Sequence, residues 1–522
     1  MKKLPIGRQS FEYLRNNNFL YVDKTEVIHE MISAGDIYFL LRPRRFSKSL
    51  LVSTLEAIFK GQKELFDGLY IYDKWDWSQQ YPVITIDWAG ISHSTLEEMK
   101  SSLISHLKKI AKNYDITLST EFAPDCFGEL IESLYTTTGK PVVVLIDEYD
   151  KPITSHLFDS HLNPIRTAVH DFYQILKSVD EYLKFVFLTG VSKFSGLSIF
   201  SALNNLDDIT LQKEYAAVCG YTQEELERNF YEYIDSAAEY LKMTREYLLE
   251  QIRYWYNGYT WDGKTAIYNP FSTLNFFKVQ RFADYWFRTG SPTFLIDIIQ
   301  RRNNIEDVLE PIVVGDESIF NEYDLENMSE IPLLFQTGYL TVKQMELTPD
   351  GCAEYTLGVP NMEVNKALLK CLLKAYGKYP DDRYIDKLRR TMQQQMTNFD
   401  EAGFACSLEA MVATVPYDLH IPQEAYYHSL MLIWMRLLGF KIHAEEHNDL
   451  GRSDLVWEQP EVTIVAEIKY SDKKTIDYLL KEAINQIHEK RYYSKYLGEI
   501  ILLGIAFSGK QTGCRMEELK RK

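Results

Sequence analysis

Two acids stand side by side, Asp147 and Glu148, where the apolar run of "VVVLIDEYD" ends. Carboxylates at the end of a buried strand are costly unless a cation or a reaction is waiting for them. About a hundred residues earlier stands "FLLRPRRFSKSLL". Here Lys48 and Ser49 follow an apolar run and a short loop, and a helical pattern comes next. That is the order of a phosphate-binding loop, G-x-x-x-x-G-K-[ST], with both glycines replaced by Arg42 and Ser47. Lys48 is placed to reach terminal phosphates. Ser49 can offer its hydroxyl to magnesium, Asp147 can hold that ion, and Glu148 can polarise an attacking water. Arg42, Arg44 and Arg45 crowd the same loop as further phosphate contacts. A third apolar run, "FVFLTGVSKFS", ends in Thr189 and Ser192, hydroxyls suited to sensing a γ-phosphate.

A second group lies near the other end of the sequence, in "GRSDLVWEQPEVTIVAEIKY". Side chains alternate along a strand, so Glu467 and Lys469 share one face while Ile464, Ala466 and Ile468 take the other. Asp454 sits on the preceding strand at hairpin distance. Two acids and a lysine so arranged can hold a divalent cation, activate water and steady a phosphoryl oxygen. A later helix, "KEAINQIHEKRYYSKY", puts Gln486 and Lys490 on one face. Glu424 opens an earlier helix, where an acid also suits the dipole, and is the third candidate metal ligand. His428, in the Leu and Met stripe of that helix, reads as structural.

These groups need elements to hold them. Strands are expected at Ile37–Leu41, Pro82–Asp87, Pro141–Asp147 and Lys184–Gly190, with a fifth from Asp207 to Leu211. Short β-rich runs without alternation indicate strands buried on both faces, hence a mainly parallel sheet with helical crossovers. From about Cys219 to Met328 the sequence turns helical, acidic and aromatic. Leu333–Asn361 reads as short strands with a turn at Pro349-Asp350-Gly351. A helical connector follows, from Glu363 to about Ala413. The last part, from Tyr417, reads helix, strand, strand, helix, strand. The expected domains are 1–215, 216–332, 333–413 and 414–522.

Bulk composition narrows the class. The 522 residues exceed one ordinary core, and 46% hydrophobic with 25% charged residues is globular. Nothing approaches the roughly 20-residue apolar run of a membrane helix, and no apolar stretch follows Met1-Lys2-Lys3. Six scattered cysteines without a C-x-x-C pair fit a reducing cytoplasm and speak against a zinc site. The net charge of −17 does not advertise nucleic-acid binding, but Lys469–Lys522 holds 12 Lys/Arg against 7 Asp/Glu.

The phrases at Arg42–Leu50, Val142–Ile153 and Leu188–Thr210 closely resemble those of the AAA-ATPase-like family of bacterial proteins. The likeness runs over about residues 4–215, in order and spacing. It implies an α/β ATP-binding domain of P-loop type, with Lys48, Ser49, Asp147 and Glu148 in the roles given above. The family more often has glycine where Ser47 stands. From about 415 to 515, "YHSLM", "GRSDL", "EIKY", "QIHEKRY" and "GIAFSGKQ" resemble the PD-(D/E)XK nuclease superfamily, in the version fused behind AAA-ATPase-like domains. The proline of that motif's name is Ser453 here. The resemblance implies a restriction-endonuclease-like α/β domain. Its metal would be held by Asp454, Glu467 and Glu424, with Lys469 and Gln486 completing the catalytic set. Leu333–Asn361 looks like a winged-helix-type module. The expectation is therefore an ATP-controlled nuclease using Mg²⁺ or Mn²⁺ on nucleic acid, DNA before RNA, in defence or mobile-element biology by analogy. The competing expectation is an ATP-driven regulatory switch whose nuclease fold binds DNA or a partner without cutting. Arg166 and the pair Arg44-Arg45 are the candidates for an arginine finger. Self-assembly into a homo-oligomer is left open.

Overall fold

In a computed structural model of the chain, the residues described are 1–157, 159–193, 206–286, 312–315, 330–376, 382–413, 423–438, 440, 442–448, 451–458, 462–496, 498–509 and 511–519. The "SIFS" phrase and all of "LNNL" except Leu206 fall outside them. The chain divides into two compact units. One comprises Met1–Thr289 with Glu310–Asn365; the other comprises Gly290–Leu309 with Lys366–Lys522.

The first unit is built on five parallel strands: β1 (Ile37–Leu41), β2 (Val83–Asp87), β3 (Val142–Asp147), β4 (Leu183–Gly190) and β5 (Asp207–Asp208). Their order is β2-β3-β4-β1-β5. Every residue of β1 and β3 is buried, as the unbroken apolar runs require. β2 and β3 start just after Pro82 and Pro141, which have no N–H for a ladder. β5 is shorter than the sequence indicates. The chain leaves β1 for the far edge at β2 and then steps back through β3 and β4, jumping β1 to reach β5. Right-handed crossovers in opposite directions lie on opposite faces. The carboxyl ends of β1 and β4 therefore flank a crevice, the usual place for a ligand on such a sheet.

The helical middle follows, with Gln223–Asn229 opening on a capping box between Thr222 and Glu225. Its core is aromatic, including Phe230, Tyr256, Phe276 and Phe277. A small antiparallel sheet, β6 (Ile312–Val314), β7 (Thr341–Leu347) and β8 (Ala353–Gly358), is ordered β6-β8-β7. Its hairpin turns at Gly351, as expected.

The second unit carries the helices Asp382–Thr397, Glu401–Val412 and Glu424–Leu437. Its sheet comprises β9 (Ile442–Asn448), β10 (Gly451–Glu458), β11 (Val462–Tyr470), β12 (Glu499–Ser508) and β13 (Gln511–Leu519), ordered β13-β12-β11-β10-β9. β11 and β12 are parallel, and the other pairs are antiparallel. A parallel pair demands a crossover, which here is the helix Ile476–Lys490. Among the described residues no helix is long and apolar enough to cross a membrane.

Candidate functional sites

In the first unit the loop after β1 leads into the helix Lys48–Phe59. That helix opens with N–H groups that have no intrahelical acceptor, a natural seat for phosphate. Ser47 caps it at φ 62°, and Arg45 has φ 71°. Both are left-handed, where glycine would be at ease and another residue costs about 1–3 kcal/mol.

Neighbouring aromatic residues hold the loop in this shape. Phe46, fully buried, packs edge-on to Tyr259 at 4.8 Å and Trp261 at 5.5 Å. Burying such a ring returns about 1.5–3 kcal/mol, the same order as the strain. The Arg45 guanidinium lies over Phe271, 4.9 Å from the ring centre. Trp286 donates its indole N–H to the carbonyl of Arg44 at 3.1 Å. Pro43 packs on Gly338, where a Cβ would stand 2.7 Å from the proline's own. The loop has exchanged glycines for an aromatic clamp.

Arg42 belongs to that clamp, which corrects its assignment as a phosphate contact. Its side chain is 0% exposed and lies over Trp261 at 4.0 Å. It donates to the carbonyls of Leu41 at 2.7 Å, Thr210 at 2.9 Å and Tyr215 at 3.1 Å. Burial pulls its pKa down to about 10, still protonated at neutral pH. Thr189 is corrected likewise. Its buried hydroxyl donates to the carbonyl of Leu40 at 2.8 Å, inside the sheet. Ser192 is buried with its N–H on Asp150 at 2.9 Å.

Lys48, Ser49 and Asp147 do come together. The Lys48 ammonium donates to the carbonyls of Arg42 at 2.9 Å and Pro43 at 3.1 Å. Burial lowers its pKa, while Asp147, Asp150 and Glu148 pull it back up. Burial pushes Asp147 up to about 6, opposed by a hydrogen bond from the Ser49 hydroxyl and by Lys48. Glu148 stands beside it at φ 52°, its N–H on the Asp147 carboxylate at 3.0 Å. Asp150 is occupied by the N–H groups of Val191 at 3.2 Å and Ser192 at 2.9 Å. Arg44 and Arg45 are exposed at the loop's tip, and Arg166 is half-buried in the helix Leu162–Ser178.

Asp87 was missed by the sequence reading. It ends β2 in register with Asp147, and burial raises its pKa with help from Glu148. The signal was available, since "VITID" ends as "VVVLID" does.

In the second unit Glu467 and Lys469 lie on β11 and Asp454 on β10. The Lys469 ammonium bridges Glu467 at 3.0 Å and Glu424 at 3.4 Å. Gln486, from the crossover helix, donates to the same Glu467 oxygen and to the Tyr492 hydroxyl, the latter at 3.3 Å. The other Glu467 oxygen is buried without a hydrogen-bond partner among the described residues. Asp454 accepts the Ile468 N–H at 2.7 Å, and Glu424 accepts the Tyr470 N–H at 3.1 Å. Burial raises Asp454, and burial with the Asp454 charge pushes Glu467 up to about 7. Burial works to lower Lys469, but Glu467 and Glu424 outweigh it and hold its pKa above the usual lysine value. The His428 ring donates its Nε2–H to the Asp454 carbonyl at 2.9 Å. Among the described residues no three His, Cys, Asp or Glu side chains form a ready-made metal cage. What the site offers is two acids on neighbouring strands, with Glu424 engaged by Lys469.

Residues 5–200 match the family model described as "Predicted AAA-ATPase" (AAA-ATPase-like), and residues 422–517 match that of the PD-(D/E)XK nuclease superfamily. An uncharacterized protein in the vnfD 5' region of Azotobacter chroococcum mcd 1 is 35% identical over 518 residues, spanning 97% of this chain and 96% of that protein. A solved structure of Drosophila ORC bound to poly(dA/dT) DNA and Cdc6 aligns over 57% of this chain and 47% of its own, with 10% identity. This chain thus spans about half of that one, with a TM-score of 0.22.

Proposed function

We propose that this chain, which belongs to the AAA-ATPase-like family and carries a PD-(D/E)XK nuclease superfamily domain near its C-terminal end, binds ATP in its first unit and cleaves nucleic acid in its second. DNA is the proposed substrate, and defence against foreign DNA the proposed setting.

The observation that carries the reading is Glu467. Its carboxylate is 1% exposed, with one oxygen shared by Lys469 and Gln486 and the other without a hydrogen-bond partner among the described residues. A buried acid so arranged is expensive. A divalent cation offsets that cost, and the orphaned oxygen beside Asp454 fits one. A bound Mg²⁺ or Mn²⁺ supplies Lewis acidity and lowers the pKa of water. Asp454 and Glu467 would hold it, Gln486 orients Glu467, and Lys469 steadies negative charge on a phosphoryl oxygen.

In the first unit, Lys48 exchanges its two loop carbonyls for nucleotide phosphates. Ser49 and Asp147 fit a magnesium ion, and Glu148 serves as base for the attacking water. Incubating pure protein with supercoiled plasmid and Mg²⁺ or Mn²⁺, with and without ATP, tests the whole reading. Nicking by wild type and none by Asp454→Ala is the expected result; an uncut plasmid under every condition defeats it.

A second reading, a regulatory switch that binds DNA or a partner without cutting, rests on Lys469. Its ammonium already neutralises Glu467 and contacts Glu424, so the cluster is partly satisfied without metal. Tight DNA binding by wild type without nicking would favour it.

A further inference from the structure

The helix Asp382–Thr397 in the second unit has two faces. Ile385, Leu388, Met392 and Met396 are buried. Arg383, Lys387 and Arg390 are exposed and, with Thr391 and Gln394, line one open groove. The spacing of 4, 3 and 4 residues from Arg383 to Gln394 follows the helix period, so the row stays on one side. Among the described residues no carboxylate pairs with Arg383, Lys387 or Arg390.

Three cations with no carboxylate partner among the described residues, gathered in one groove, are conspicuous in a chain of net charge −17. Like charges at helical spacing repel, so a row of three cations calls for an anionic partner. Arg and Lys supply charge to phosphate, while Thr and Gln supply the uncharged hydrogen bonds that also meet phosphodiester oxygens. The helix packs on its neighbour Glu401–Val412, which docks on β13 of the sheet that carries Asp454 and Glu467.

We propose that the Arg383–Lys387–Arg390 groove is a nucleic-acid backbone surface serving the second unit. It grips the phosphates of the strand or duplex on which the cluster around Glu467 acts. The inference rests on the nuclease reading for its partner, but on separate residues. An acidic second copy of this chain is the competing occupant, and the groove's hydrogen-bonding side chains favour phosphodiester.

The test uses the full-length protein, with Arg383, Lys387 and Arg390 changed together to Gln. These side chains are exposed, so the fold should hold. Affinity for a fluorescent 30-base-pair duplex, and for a single strand of that length, is measured by anisotropy with Ca²⁺ across a salt series. Plasmid nicking with Mg²⁺ is measured in parallel. Each lost phosphate contact lowers the salt slope by about 0.9 on duplex and about 0.7 on single strands. The variant should lose about ten-fold or more in affinity near 0.1 M salt, with a slope shallower by about 2 to 3 on duplex. Unchanged affinity and slope, with wild type still cutting, overturns the groove alone. A shift in sedimentation with unchanged DNA affinity also overturns it, in favour of self-association. Wild type that neither binds nor cuts overturns the groove and the nuclease reading together.

Discussion

Trp286 ties the phosphate loop to a buried acid. Its indole N–H donates to the Arg44 carbonyl at 3.1 Å, and its backbone N–H donates to the Glu363 carboxylate at 2.8 Å. Glu363 is 1% exposed, so its carboxyl sits in the core beside that N–H. The strained loop is thus anchored by a residue that a buried carboxyl group helps to hold.

That carboxyl makes the clamp sensitive to pH. Burial pushes Glu363 up to about 8, above the ordinary 4.5. The folded chain keeps the proton to about pH 8, and the unfolded chain releases it near 4.5. Between these values unfolding releases a proton, so rising pH favours the unfolded state and stability falls. Glu363→Gln keeps an acceptor for Trp286 but removes the titration. Its melting temperature should fall less between pH 6 and 9 than that of wild type, by a few degrees. Parallel melting curves would show that Glu363 is not the linked group.

Ser47→Gly should relieve the left-handed strain at the head of the helix Lys48–Phe59. The gain is about 1 kcal/mol after glycine's own entropy cost, or roughly five-fold in ATP affinity if binding selects this loop shape. Calorimetric titration checks it. A several-fold loss would give the serine hydroxyl a role of its own.

Glu148→Gln should retain ATP and lose about two or more orders of magnitude in hydrolysis, the usual worth of a positioned base. Phosphate release and nucleotide binding are measured together. Full activity would move the role to another acid. Asp87 is then the next candidate, because Asp150 already accepts two backbone N–H groups.

At the nuclease cluster, Asp454→Asn should weaken both metal binding and cleavage. Lys469→Ala should spare metal binding and cost about two orders of magnitude in cleavage. Plasmid nicking beside metal titration separates the two effects. Both variants cutting like wild type would refute the strand-pair assignment.

The sequence revealed whichever features depend on neighbours in the chain. Apolar runs ending in acids placed β1 to β4 within a residue or so, and alternation placed Glu467 with Lys469. Arg42 and Thr189 were misread because their partners, such as Thr210, Trp261 and Leu40, are distant along the chain. Trp286 meets Arg44 across 242 positions. No local pattern encodes that contact. β9, "IHAEEHN", escaped notice because an edge strand needs little apolar content, and β13, "QTGCRMEEL", because it lacks clean alternation.

Glu401 has a bearing on how the protein can be divided. β13 is an outer strand of its sheet, yet the Met516 N–H is taken by the Glu401 carboxylate at 2.6 Å and the Cys514 thiol by the Glu401 carbonyl at 3.1 Å. A fragment beginning at residue 414 would carry Asp454, Glu467, Lys469 and Gln486 but leave that strand's hydrogen-bonding edge bare, inviting sheet-to-sheet stacking between molecules. One beginning before Asp382 would bring its own cover. The smallest well-behaved fragment holding the nuclease superfamily domain is therefore longer than residues 422–517.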